Sequence, residues 1–146
     1  MKIFKNYQVL VLGLTLAFTS CASNDEKIEE YNTLFGQIMQ VHDEVMPKMM
    51  DISSLKGELQ NRAESDTTAT ASYNEAISKL DEADAHMETW MMEFADEFVS
   101  TKSKVQSMSE EELNAVIAGL KAELDEVNEV KSSINTSIDN AKSLVQ

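Results

Sequence analysis

Hydrophobic residues recur every three or four positions over three long stretches of the chain, separated by polar residues. This period is that of one face of an α-helix, whereas a half-buried strand would alternate every second residue. One proline and three glycines after residue 20 also leave few turn-forming residues for a sandwich or barrel. The pattern predicts an all-α fold, as an elongated up-down-up three-helix bundle with coiled-coil-like packing. An open helical hairpin that closes by dimerising is the alternative.

The first predicted helix begins at Ser23, because Ser23 and Glu26 have the spacing of a capping box. Pro47 lies inside this helix and lacks a backbone N–H, so we expect a kink there. A loop is expected over residues 63–71, where the periodicity stops. The apolar stripe before that loop carries two polar positions and consists of Ile28, Tyr31, Phe35, Ile38, His42, Val45, Met49, Ile52, Lys56 and Leu59.

Two further helices are predicted from the same two signals, a capping box at the start and an apolar stripe along the helix. Ser72 with Glu75 repeats the capping-box spacing, and Ser109 with Glu112 repeats it again. The second helix is expected to close near Lys102 and Lys104. Its stripe is Tyr73, Ile77, Leu80, Ala83, Met87, Trp90, Phe94 and Phe98, and the third is Leu113, Val116, Ile117, Leu120, Leu124, Val127, Val130, Ile134, Ile138, Ala141 and Val145.

The first twenty residues have a different pattern from the rest. A basic start with Lys2 and Lys5 precedes the apolar run YQVLVLGLTLAF, which is shorter than the roughly 20 residues of a membrane-spanning helix. These features are typical of a secretory signal peptide. The run ends in Phe18-Thr19-Ser20-Cys21, and Cys21 is the one cysteine of the chain. This segment resembles the lipobox of bacterial lipoproteins.

The lipobox resemblance implies how the chain is divided and where it is located. Residues 1–20 would be a cleaved signal peptide, and the thiol of Cys21 would carry fatty acyl chains such as palmitate. Residues 21–22 would be a short tether, and 23–146 a single helical domain. Ala22, instead of an aspartate, implies an outer-membrane protein facing the periplasm or the cell surface. Its first partner would be membrane lipid, bound through acylated Cys21.

Charge narrows the classes of partner. The chain has 12 basic and 26 acidic side chains, and removing residues 1–20 removes two of the basic ones. Such an acidic surface disfavours nucleic acid and anionic headgroups. An electrostatic partner should be a cationic envelope protein or peptide, although an acidic surface also serves plain solubility. Self-association into a homo-oligomer is compatible with the same pattern.

Seven of the eight methionines after Cys21 lie in two windows, 39–50 and 87–92. If the first turn centres near residue 65, antiparallel neighbours have numbers that sum to about 130, which places the windows side by side. The first interpretation is packing, because methionine fills irregular space. The second is a copper site, since thioether and imidazole ligands suit Cu(I); its candidate ligands are His42, Met46, Met87 and Met91. Haem held by Met and His is a third interpretation.

Two runs in these windows carry a second resemblance. The run His42-Asp43-Glu44-Val45-Met46-Pro47-Lys48-Met49 and the run Trp90-Met91-Met92-Glu93-Phe94 resemble a family of small helical bacterial lipoproteins. Members are often labelled viral A-type inclusion protein. The resemblance implies a grouping and no activity.

Motifs of catalysis are absent from the sequence. There is no Gly-rich phosphate loop, no G-x-S-x-G and no H-E-x-x-H. We therefore predict no catalytic residue and no required cofactor, with copper as the alternative. The predicted function is that of a lipid-anchored, non-enzymatic structural or protein-interaction module. The alternatives are a periplasmic copper-binding protein and a surface-displayed adhesion or stress factor.

Overall fold

A computed structural model describes the backbone of residues 19–146 and the side chains from residue 24 onward. Helices joined by short connections make up this part of the chain, and it contains no strand. The predicted all-α class is confirmed. The predicted signal peptide falls on residues 1–20, of which 1–18 lie outside the described residues.

Four α-helices follow one another over residues 19–146, which the structure describes. Helix α1 spans Thr19–Val45, and a single 3₁₀ turn, Met46–Lys48, separates it from α2, which spans Met49–Ser65. Helix α3 spans Thr70–Phe94, and α4 spans Glu110–Val145. The 3₁₀ turn contains Pro47, so the break expected at this proline is confirmed. Its cause is the missing N–H, which removes one hydrogen bond from the helical ladder.

Helix α1 begins earlier than its sequence signal indicated. The predicted start at Ser23 is wrong, because the helical backbone already includes Thr19 and continues through Cys21. The segment from Thr19 to Ser23 contains neither glycine nor proline. Extending an existing helix fixes one residue for each hydrogen bond gained, so such a segment can join the helix that follows it.

The predicted cap at Ser72 is also wrong. Helix α3 begins at Thr70, and its cap residue Ala69 makes no side-chain cap hydrogen bond. The preceding turn is instead organised by Asp66, whose Oδ1 accepts hydrogen bonds from the N–H and hydroxyl of Thr68 at 3.0 and 2.6 Å. These bonds lower the pKa of Asp66. This turn, which precedes the helix, determines where α3 begins, so Ser72 lies inside the helix and does not cap it.

The third cap is confirmed. The Oγ of Ser109 accepts a hydrogen bond from the N–H of Glu112, and the Glu112 carboxylate accepts one from the N–H of Ser109 at 2.7 Å. Two otherwise unpaired backbone donors are thereby satisfied. The same bonds lower the pKa of Glu112.

The paired side chains show the directions of the helices. Lys27 pairs with Glu110 at 2.8 Å, Glu44 with Lys131 at 2.7 Å and Asp51 with Lys142 at 3.1 Å. The residue numbers of the two partners rise together from one pair to the next, so α1 and α2 run in the same direction as α4. Helix α3 runs the opposite way, because Phe35 lies against Phe94 whereas Lys56 pairs with Asp81.

The core lies where the three stripes predicted it. The structure differs by also burying five residues outside the stripes, namely Leu34, Leu55, Ala76, Val105 and Ser137. Six apolar residues of the stripes are only partly buried: Ile28, Met49, Ile77, Val116, Leu124 and Val145. Two polar positions of the first stripe lie at the edge of this core: the His42 side chain is 19 % exposed and that of Lys56 29 %. Lys56 can remain there because its ammonium group pairs with Asp81.

The predicted continuation of the second helix to Lys104 is wrong. After Phe94 the backbone widens into a π-helical turn, Ala95–Val99, and 3₁₀ turns follow over Lys102–Ser107. The π turn keeps Phe98 in the core, with its ring stacked on Phe94 at 5.5 Å between centroids. Phe98 also packs against Gly119 of α4, at a place where a Cβ atom would crowd the ring. The wider turn thus coincides with the place where one aromatic side chain packs against α4.

Candidate functional site

The site predicted from the methionines lies where the 3₁₀ turn faces α3. Met46 belongs to this turn, Met49 begins α2, and Met87 and Met91 lie one helical turn apart on α3. These four side chains line one open groove together with Asp84 and Glu88, with a volume of about 300 Å³. Three of the four predicted copper ligands are thus brought together.

The local sequence explains how the turn presents two thioethers. Pro47 separates Met46 from Met49, and the N–H of Met49 donates to the carbonyl oxygen of Met46. In this tight turn, side chains three residues apart lie on the same side. The thioether of Met87 is buried, and the other three methionines are only partly covered. The groove is therefore accessible from solvent along its methionine wall.

The fourth predicted ligand, His42, lies beside this groove and does not line it. Its Nδ1 lies 3.0 Å from Oδ1 of Asp43, and its ring centroid lies 6.0 Å from that of Trp90. The imidazole is thus held against the indole, one helical turn before Met46. His86, the other histidine, is half-buried on α3.

Aromatic rings set the separation between α1 and α3. Phe35 lies against Phe94 with centroids 5.4 Å apart, and Trp90 stacks on Phe94 at 5.1 Å. Tyr31 continues the row, with its hydroxyl donating to the carbonyl oxygen of Phe98 at 3.4 Å. Burial raises the pKa of Tyr31. Because large rings fill this side of the molecule, α1 meets α3 through side chains instead of close backbone approach.

Glu123 of α4 is a residue of this region that the sequence did not indicate. Its carboxylate accepts a hydrogen bond from Nε1 of Trp90 at 2.9 Å. Burial raises the pKa of Glu123, the Trp90 hydrogen bond opposes that rise, and the nearby carboxylates of Glu126, Glu97 and Glu93 add to it. No local signal marks this contact, because the partners lie 33 residues apart and meet only through the rotation of α3 against α4.

A second, polar groove lies between α3 and α4. Its volume is about 450 Å³, and it is lined by Glu75, Lys79, Glu82, Ser132, Ser133, Thr136, Ser137 and Asn140. Ser137 is buried, but its hydroxyl already donates to the carbonyl oxygen of Ile134 at 3.0 Å. The lining includes no histidine that could activate a serine hydroxyl.

The donor set of the methionine groove determines its chemistry. Within residues whose side chains are described, no three or more His, Cys, Asp or Glu side chains are arranged to hold a metal ion. The groove offers thioether sulfur instead, with two carboxylates among its lining residues. Thioethers are soft, neutral donors, so the groove suits soft cations or apolar groups more than zinc or calcium.

Most basic side chains are engaged between helices. Lys48 donates to Oδ1 of Asn135 at 2.7 Å, Lys121 pairs with Glu30 at 2.7 Å, and Arg62 donates to the carbonyl oxygen of Val145. These contacts join the pairs of Lys27, Lys131 and Lys142 along the seam between α1–α2 and α4. By contrast, α3 carries six acidic residues and a single lysine. Its outer surface is therefore strongly negative.

The predicted lipidation residue, Cys21, has a helical backbone within α1, and its side chain lies outside the described part. None of the helices in the range that the structure describes has the length and apolar character to cross a membrane. A search against protein-family models, curated proteins and solved structures finds no match to this chain. The lipobox and the family resemblance therefore stay predictions from the residues that carry them.

Proposed function

We propose that this protein is a lipid-anchored, non-enzymatic component of the bacterial cell envelope, located at the outer membrane, and that it acts as a structural or protein-interaction module. The observation that carries the proposal is the small-residue run Thr19-Ser20-Cys21 directly after a short apolar segment. An anchored cysteine also gives a role to the one thiol of an exported chain, which could make no internal disulfide.

The proposed module is an elongated up-down-up bundle with coiled-coil-like packing. Two observations support this architecture. Paired residues of α1–α2 and α4 keep a separation of 83 to 91 positions from Lys27 to Asp51. Buried residues also recur three and four positions apart in every helix, which is the spacing of a heptad seam.

The partner of this module is proposed to be a cationic envelope protein or peptide. The chain has a net charge of −14, and most of its basic side chains face other helices. A partner that approaches from solvent therefore meets mainly carboxylates. Long-range attraction of this kind speeds encounter more than it sets affinity.

The anchor is tested by mass spectrometry of the protein isolated from membranes of its bacterial host. We expect an N-terminal peptide that begins at Cys21 and carries acyl chains. Several such chains would make a stable anchor, because each buried methylene contributes about 0.8 kcal/mol. Cys21→Ser is the matched control, since it keeps the size and helical context but cannot form the thioether. It should remain uncleaved or leave the membrane fraction. An unmodified chain that begins elsewhere would exclude the anchor.

A further inference from the structure

We propose that the methionine groove is a binding site for a soft monovalent cation, Cu(I) or Ag(I), with the thioethers of Met46, Met49, Met87 and Met91 as ligands. This inference is independent of the proposed anchor. It differs from the ligand set that the sequence indicates, because Met49 replaces His42.

The arrangement of the four thioethers supports this site. They come from two segments that lie far apart in sequence, and both segments present a pair on the same side: Met46 and Met49 across the proline turn, Met87 and Met91 across one turn of α3. A cation between the segments would thus meet sulfur from both walls. Four neutral sulfur donors match the coordination that soft metals prefer.

The groove is accessible from solvent, as a site that takes up an ion requires. Methionine fills irregular gaps in cores and is also common at binding surfaces. Here Met87 is 1 % exposed, while Met46, Met49 and Met91 are partly open to solvent. An ion could therefore reach the groove past these three side chains without the helices moving apart, with Met87 at its inner wall.

Charge at the groove favours a cation. Asp84 and Glu88 are exposed side chains of α3 that line the groove together with the four methionines. They supply negative potential close to ligands that carry no charge themselves, so the ion need not be neutralised by the thioethers. Two carboxylates with thioethers are a poor set for Zn²⁺, which takes nitrogen, thiolate and carboxylate ligands in a tetrahedron.

The position of His42 explains why it is left out of the proposed site. The side chain does not line the groove: its Nδ1 lies 3.0 Å from Oδ1 of Asp43, and its ring lies against Trp90. The imidazole is thus oriented by two neighbours beside the groove. A copper site built on His42 and a copper site built on the four methionines therefore make different predictions for the same variants.

The test is a titration of the full-length Cys21→Ser protein with Cu(I), kept reduced and without oxygen, against a chromogenic Cu(I) chelator. The substitution removes the one thiol of the chain, which would itself bind Cu(I), and this protein serves as the unmodified background for every further variant. We expect one ion per chain for this background protein and no competition from Zn²⁺. Met46→Leu combined with Met91→Leu should weaken binding by roughly tenfold or more. Leucine keeps the volume and the helix preference but removes sulfur, and both residues are partly exposed, so the fold should be preserved.

Two control variants make the result specific. Met50→Leu with Met92→Leu removes two sulfur atoms at side chains that are 79 % and 61 % exposed and do not line the groove. This variant and His42→Gln should bind Cu(I) like the unmodified protein. Absence of binding, equal binding by the groove variant, or a loss caused by His42→Gln would each overturn the proposal. Circular dichroism of every variant checks that helix content is unchanged.

Discussion

Gly119 of α4 lies against the ring of Phe98, in the aromatic row. A Cβ atom at this position would lie 2.9 Å from Cζ of Phe98, whose ring is itself buried. We expect Gly119→Ala to lower the free energy of unfolding by about 1 kcal/mol or more, because overpacking of this kind costs about 1–3 kcal/mol and exceeds the gain in helix preference. Chemical denaturation measures the difference.

The matched controls for this prediction are Gly36→Ala in α1 and Gly57→Ala in α2. A Cβ atom at either position would meet nothing within 4 Å. Both changes should stabilise the protein by about 0.5–1 kcal/mol, since alanine loses less backbone entropy in a helix than glycine. If Gly119→Ala stabilises as much as the controls, the Phe98 ring does not occupy the place described.

For single residues, the sequence predicts those contacts whose two partners are close along the chain. The capping box of Ser109 and Glu112 was predicted because both partners lie within three residues. The bond from Trp90 to Glu123 was not, since it depends on how two helices are rotated against each other. Of the methionine site, the sequence predicted Met46, Met87 and Met91 as candidate copper ligands from two windows that lie side by side. It did not predict that Met49 lines the groove in place of His42, which depends on the geometry of the proline turn.

The pairing of α3 with α4 contains an ionisable group that opposes folding when charged. The pKa of Glu123 is raised in the folded protein, chiefly by burial. The folded state therefore binds this proton more tightly than the unfolded state, so the stability linked to Glu123 is present at low pH and is lost as the pH rises through the raised pKa. Glu123→Gln removes this loss and retains an oxygen that can accept from Trp90.

We expect the variant to gain stability relative to the unmodified protein as the pH rises from the ordinary glutamate range toward neutrality. Unfolding curves at several pH values, compared between the two proteins, test this. The comparison is necessary because Glu44, Asp66, Glu82 and Glu112 have lowered pKa values and lose their stabilising effect as the pH falls. A difference that does not change with pH would contradict the raised pKa of Glu123.

For whole elements, the sequence predicted the helices, most of their buried faces and the start of α4, but not the starts of α1 and α3. Periodicity reports which side of a helix meets the core, and the three stripes lie there. Helix ends depend on competing local bonds, and at Thr70 the turn at Asp66 prevails over the spacing at Ser72. The π turn after Phe94 has no sequence signal, since it follows from fitting Phe98 against Gly119.

The whole molecule carries far more negative than positive charge, with a net charge of −14. Repulsion among its carboxylates acts over distances that salt screens well, and the Debye length falls from about 30 Å at 0.01 M to about 8 Å at 0.15 M. The ion pairs between helices are short and partly exposed, and each contributes about 0–1 kcal/mol. We expect the melting temperature to rise with salt over this range, measured by circular dichroism. A fall would show that the ion pairs outweigh the repulsion.

The parallel alignment of α1 and α4 has a consequence for the order of assembly. Pairs such as Glu44 with Lys131 join residues 87 positions apart, and the packing of α1 on α4 is the most extensive between any two helices described. Closing a loop of this length costs entropy before any contact is gained, whereas the hairpin of α2 and α3 closes over a four-residue connection. The first helix described, α1, is therefore among the last to find its partner, and it remains unpaired until the final quarter of the chain, which forms α4, has been synthesised.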